Sequence, residues 1–147
     1  MKKFLLFTVA LLLSAGVAFA QRGLSSNRVF RGNVVPLSDM VVTEVRGESL
    51  ASYKLDYYRG VSFQADAART AEVAALVEAD AAAAASCETE REGSLLTYAL
   101  IQPKPFGRTN RYLCYQARRD GDGWKVTLLY LEGAARLEDL RSAFEKQ

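Results

Sequence analysis

The sequence predicts an α+β fold: an antiparallel sheet of about five strands, with a long helix before a three-stranded meander and a C-terminal helix, both helices on one face. Three observations lead there. Segments of β-branched or alternating apolar residues fall on either side of the chain's middle, in 40–63 and 95–131. An Ala-rich stretch opened by Asp66 separates them. Asp120-Gly121-Asp122-Gly123 joins two alternating runs, the strongest hairpin signal in the chain.

The chain begins with a leader. Met1-Lys2-Lys3 supplies charge, Phe4 to Leu13 is apolar but for Thr8, and Ala18-Phe19-Ala20 is an A-x-A cleavage site. Residues 1–20 therefore read as a secretory signal peptide, too short and wrongly flanked for a membrane span. Cleavage near Ala20 predicts a periplasmic or secreted protein with no later span. Of 147 residues, 127 would remain, enough for one domain with its own core. The whole chain carries 19 Lys and Arg against 17 Asp and Glu, and losing Lys2 and Lys3 brings the mature protein to 17 against 17. That balance gives no general drive toward nucleic acid or an anionic membrane.

Residues 21–39 mix Gly, Ser, Asn and Pro around one apolar pair, Val29-Phe30. They predict a poorly ordered N-terminal segment with one helical turn near Ser26–Arg31, ahead of a single α+β domain over 40–147. Met40 to Val45 is a β-branched strand that stops at Arg46-Gly47. Ser49 to Tyr53 predicts a helical turn. Lys54 to Phe63 alternates with Leu55, Tyr57, Val61 and Phe63 on one parity, and Gly60 marks a bulge or irregularity.

Asp66 is a good N-cap for a helix running to about Ser86, with Val73, Leu76 and Val77 as its buried stripe. Glu88 to Gly93 reads as a charged, solvated loop. Leu95 to Gln102 is a strand that ends where Pro103-Lys104-Pro105 removes ladder donors. Arg111 to Arg118 sets Leu113, Tyr115 and Ala117 on one face and Tyr112, Cys114 and Gln116 on the other. Trp124, Val126, Leu128 and Tyr130 share a face of the last strand, which ends at Glu132-Gly133. Ala134 to Glu145 carries Leu137, Leu140, Arg141 and Phe144 in helical register.

Several of these segments carry a likeness: Phe30, Thr43-Glu44-Val45-Arg46-Gly47, Leu50 with Tyr53-Lys54-Leu55, Asn110 to Tyr115, and Val126 to Gly133 running into Leu137-Glu138-Asp139-Leu140. In order and motif the chain resembles small secreted families of unknown function from Bacteroidetes, over most of Phe30 to Phe144. The resemblance implies the compartment and the fold. It implies no catalytic residue.

The residues narrow the chemistry. There is no histidine, so Ser-His-Asp and Cys-His nucleophilic catalysis and histidine metal sites are excluded. Cys87 and Cys114 are too few for a thiolate metal cage and lack C-x-x-C spacing. In an oxidising compartment they are a candidate disulfide closing 27 residues, which would contribute about 3–4 kcal/mol; the alternative is two unpaired thiols in different elements. An EF-hand loop counted from Asp120 fails, because its sixth and twelfth positions hold Lys125 and Leu131. No phosphate-cradling loop is present, and no cofactor is expected.

Two weaker constellations remain. Lys104, Arg108, Arg111, Tyr112, Tyr115 and Arg118 form a candidate binding patch, through guanidinium forks and aromatic faces; exposed charges flanking ordinary strands explain the same residues. Glu88, Glu90 and Glu92 are the only basis for a carboxylate-dependent hydrolase. The preferred reading is a non-catalytic secreted or periplasmic domain that binds a protein or cell-envelope component. A small hydrolase is one alternative. An inhibitor presenting the Pro103–Asn110 hairpin is the other.

Overall fold

The computed structural model describes residues 23–105 and 107–145, so the leader expected over residues 1–20 lies outside the described residues. The architecture is α+β. Six antiparallel strands run β1 (Val41–Arg46), β2 (Leu55–Ala65), β3 (Ser86–Glu92), β4 (Leu95–Gln102), β5 (Asn110–Asp120) and β6 (Gly123–Gly133). Their order across the sheet is β1-β2-β6-β5-β4-β3, so β1 and β3 are the edges. Helices α1 (Asn27–Phe30), α2 (Ala67–Ala82) and α3 (Leu137–Glu145) and two 3-10 turns, Leu37–Asp39 and Glu48–Tyr53, complete the fold.

The first face of the sheet carries the main core. Val61, Phe63, Ile101, Leu113, Tyr115, Val126, Leu128 and Tyr130 pack there against α2. The stripe α2 buries is Thr70, Val73, Ala74 and Val77, one face at helical period. Asp66 caps this helix, its carboxylate accepting from the Arg69 amide at 2.7 Å. Having left β2, the chain crosses this face along α2 and re-enters the sheet at its far edge as β3.

Residues 23–39 correct the expectation of a poorly ordered lead-in. Val29 and Phe30 are fully buried, and Val34 and Val35 join the same core. Burying four such side chains contributes about 1.5–3 kcal/mol each, ample to hold a short segment in place. The segment is also stapled to α2. Asp80 of α2 accepts from the backbone amides of Ser25 at 2.5 Å and Ser26 at 2.9 Å. The sheet alone cannot cover its own first face, and this segment closes the part that α2 leaves.

The helices do not share a face. Tyr112 and Leu131 point opposite to their neighbours Leu113 and Tyr130, and they cluster with Leu50, Leu55, Ala135 and Leu140. So α3 and the Glu48–Tyr53 turn lie on the second face, opposite α2. The reason is visible in β6, where Leu129 and Leu131 make the strand's end apolar on both sides. A second apolar surface needs a second cover.

The segment expected as a charged loop is the sixth strand. Ser86 to Glu92 pairs with β4 from Ser86↔Gln102 to Glu92↔Leu95, with a bulge between Glu90 and Arg91. Its side chains are all exposed, so no apolar pattern announced it. Backbone pairing to β4 and ion pairs hold it instead: Arg91 with Glu78 of α2, Glu88 with Arg141 of α3, and Glu92 with Arg119 of β5. The predicted irregularity at Gly60 also moves. Gly60 sits in register between Thr43 and Leu129, and the bulge lies between Leu55 and Tyr57.

Candidate functional site

The second face is only half covered. Beyond α3, toward the β5–β6 turn, one row of residues crosses all six strands: Val41, Ser62, Thr127, Gln116, Tyr98 and Glu90, each directly opposite the next. The neighbouring row holds Gly60, Leu129 and Cys114 in the same succession. Between the rows lies an open groove of about 190 Å³, lined by Tyr98, Cys114, Tyr115, Gln116, Thr127 and Leu129. It continues into a wider depression of about 400 Å³ bounded by Glu90, Glu92, Arg118, Arg119 and Trp124.

The groove follows from local sequence. Gly60 supplies no side chain, and a Cβ there would stand 3.0 Å from Leu129 and 3.1 Å from the Tyr58 hydroxyl. Those two side chains lean into the space glycine leaves. Thr127 and Gln116 bring uncharged hydrogen-bonding groups to the floor, and Tyr98 brings an aromatic wall. Burial pushes the Cys114 thiol up to about 12, so it acts in the floor as a small apolar group rather than a thiolate. The Tyr98 phenol is raised by burial and then by Cys114 and Glu90. The surface can take an uncharged polar or aromatic-stacking group. It presents no activated nucleophile.

The candidate disulfide is overturned. Cys87 lies opposite Ile101 and Cys114 opposite Leu100, with β4 between their strands. Two strand spacings amount to roughly 9–10 Å, against the ~4.4–6.8 Å between Cα atoms that a disulfide spans. Ile101 and Leu100 also point to opposite faces, and each cysteine shares its partner's face. Cys87 is an exposed free thiol and Cys114 a half-buried one.

The predicted basic patch is not gathered into one surface. Tyr112 and Tyr115 face opposite sides of β5, and both are buried. Tyr112 donates its hydroxyl proton to the Ala135 carbonyl at 2.6 Å, which anchors the approach to α3. Arg111 is buried as well. Its Nε donates to the Tyr130 hydroxyl at 2.9 Å and its Nη1 to the Lys104 carbonyl at 3.5 Å, while Tyr130 donates to Glu132 at 2.6 Å. That network fastens the 104 loop to the first face, and burial raises the Tyr130 phenol. Lys104 and Arg108 stay exposed at one end of β5 and Arg118 at the other. Glu88 and Glu92 are ion-paired to Arg141 and Arg119, and Glu90 stands at the groove's rim.

Sequence reasoning named Cys114, Gln116 and Tyr112 as one face of β5 but not the groove. Tyr98, Thr127 and Leu129 completed it, and the signal available was parity: each sits opposite the core side of its strand. Among the described residues no three His, Cys, Asp or Glu side chains converge as a metal site, and no helix is long and apolar enough to cross a membrane.

Residues 13–144 match a family of unknown function, DUF6108. The chain belongs to that family. No curated protein and no solved structure matches it. Membership in DUF6108 covers both faces of the sheet, all three helices and the groove.

Proposed function

We propose that this DUF6108 protein works outside the cytoplasm as a non-catalytic domain, and that the open half of its second sheet face binds a protein or a cell-envelope component. The observation that carries the reading is the groove over Tyr98, Cys114, Gln116, Thr127 and Leu129. An uncharged, partly aromatic floor with amide and hydroxyl groups suits a neutral polar ligand such as an envelope glycan, by stacking and hydrogen bonds. The absence of histidine and the protonated thiol support a binding role over turnover. The leader supports the compartment.

The test has two arms. N-terminal sequencing of the protein from fractionated cells is expected to find Gln21 first, in the periplasm or medium; an intact leader on cytosolic protein refutes the compartment. Immobilised protein is expected to retain an envelope component that Thr127→Lys no longer retains at an unchanged melting temperature. Retention indifferent to Thr127→Lys refutes the site, and turnover of an envelope polymer by the purified protein refutes the non-catalytic role.

A further inference from the structure

The two edges of the sheet differ. β3 is fully exposed and strongly charged, with Glu88, Glu90, Arg91 and Glu92 along it, the usual protection against edge-to-edge pairing. β1 has no such protection at its start. The large apolar side chains left exposed among the described residues are Leu37 (47%), Val41 (71%), Val42 (42%) and Tyr53 (50%). All four lie on β1 or in the 3-10 turns that flank it. An exposed β-branched edge strand is a template for strand addition.

We propose that β1 pairs antiparallel with β1 of a second copy of this chain, about a twofold axis through Thr43. Symmetry and charge choose this register. An antiparallel twofold keeps each face continuous, so residues of like parity must meet. Two centres leave most of the strand paired. Centring on Glu44 would set two carboxylates against each other, which like charges disfavour. Centring on Thr43 sets Thr43 against Thr43 and, twice over, Val41 against Val45 of the other copy on the second face. On the first face Val42 then meets Glu44. That carboxylate is already engaged by Arg46 at 3.3 Å and Arg59 at 3.0 Å, so it brings no unpaired charge to the seam. Antiparallel alignment also carries the Leu37 end of one copy toward the Tyr53 end of the other, which gathers the remaining exposed apolar groups at the junction. Two six-stranded sheets become one of twelve strands.

Sedimentation of the purified protein across a micromolar to near-millimolar range tests this. The wild type is expected to dimerise, Thr43→Lys to lose the dimer by setting two ammonium groups on the axis, and Thr89→Lys on the β3 edge to keep it. Thr43 is exposed, so the lysine has room; circular dichroism and the melting temperature check the fold. In a Cys87→Ser background, Thr43→Cys is expected to give a covalent dimer on mild oxidation. A wild type that stays monomeric throughout overturns the proposal. So does a folded Thr43→Lys that remains dimeric, a dimer that Thr43→Cys fails to cross-link, or a monomer whose β1 pairs only with an unrelated extended peptide.

Discussion

Among the described residues Asp80 is the one buried carboxylate, and its replacement tests how the N-terminal segment is held. It is 5% exposed and accepts from the amides of Ser25 and Ser26. Hydrogen bonds to a charged group contribute about 1.5–3 kcal/mol each, so Asp80→Ala, which strands the buried Ser26 amide and the part-buried Ser25 amide, should cost about 2–5 kcal/mol. The segment could escape that penalty by undocking. Undocking exposes Val29, Phe30, Val34 and Val35, at about 1.5–3 kcal/mol apiece, which exceeds the cost of leaving two donors unpaired. The loss should therefore appear in global stability, with the segment still in place. Asp80→Asn keeps one acceptor and should lose about half as much. Urea denaturation followed by Trp124 fluorescence gives the stability, and hydrogen exchange at Val29 and Phe30 reports docking. A two-state Asp80→Ala losing under about 1 kcal/mol, with those amides still protected, would refute the assignment of the carboxylate as a staple.

Three further outcomes follow from the packing. A Cβ on Gly133 would lie 2.5 Å from the Lys54 carbonyl oxygen and 2.6 Å from Leu55 Cα, both backbone, so Gly133→Ala should lose about 2–3 kcal/mol by thermal melting, while Gly93→Ala, with open space around it and only the left-handed backbone to strain, should lose about 1 kcal/mol. Thiol counting should find two free cysteines, with Cys87 alkylated rapidly in the native protein and Cys114 only slowly until denaturant is added; equal native rates, or thiols that appear only after reduction of an intramolecular disulfide, would contradict the register of β3, β4 and β5. Burial raises Cys114 from its ordinary 9.0 to about 12 and Tyr115 from 10.0 to about 12, so both stay neutral in the fold when they would ionise in the unfolded chain. Stability from these groups is complete below about pH 9 and is lost as pH rises toward 12; the melting temperature should fall across that window, and Cys114→Ala should shallow the fall.

The elements with apolar periodicity were legible. Asp66 as a cap, the Val73 and Val77 stripe, the Asp120–Gly123 turn and the split of β5 into Tyr112-Cys114-Gln116 and Leu113-Tyr115-Ala117 all follow from residue type and period. What escaped lacks that signature. β3 is Ser-Cys-Glu-Thr-Glu-Arg-Glu, and its strand character comes from hydrogen bonds to β4 and ion pairs to elements distant in sequence. The opposite placement of α2 and α3 depends on which apolar row each one covers, and both rows exist in β6. Arg111 and Asp80 look like surface charges in the sequence. Only their partners, the Tyr130 hydroxyl and the Ser25 and Ser26 amides, make their burial affordable in free-energy terms. The groove was half visible, since parity gives the face but not the absence of a helix above it.

The charged margin at Ser86–Glu92 has a consequence for how far assembly can go. A flat ribbon with two adhesive sides grows without limit, each added unit exposing a fresh side. Here one margin is lined with carboxylates and guanidinium groups already committed to α2, α3 and β5. Joining two molecules through the opposite margin leaves only this border facing outward on both flanks, where an added strand would have to strip water from the ion pairs and from Glu90, so accretion halts after a single step and filaments have no place to start.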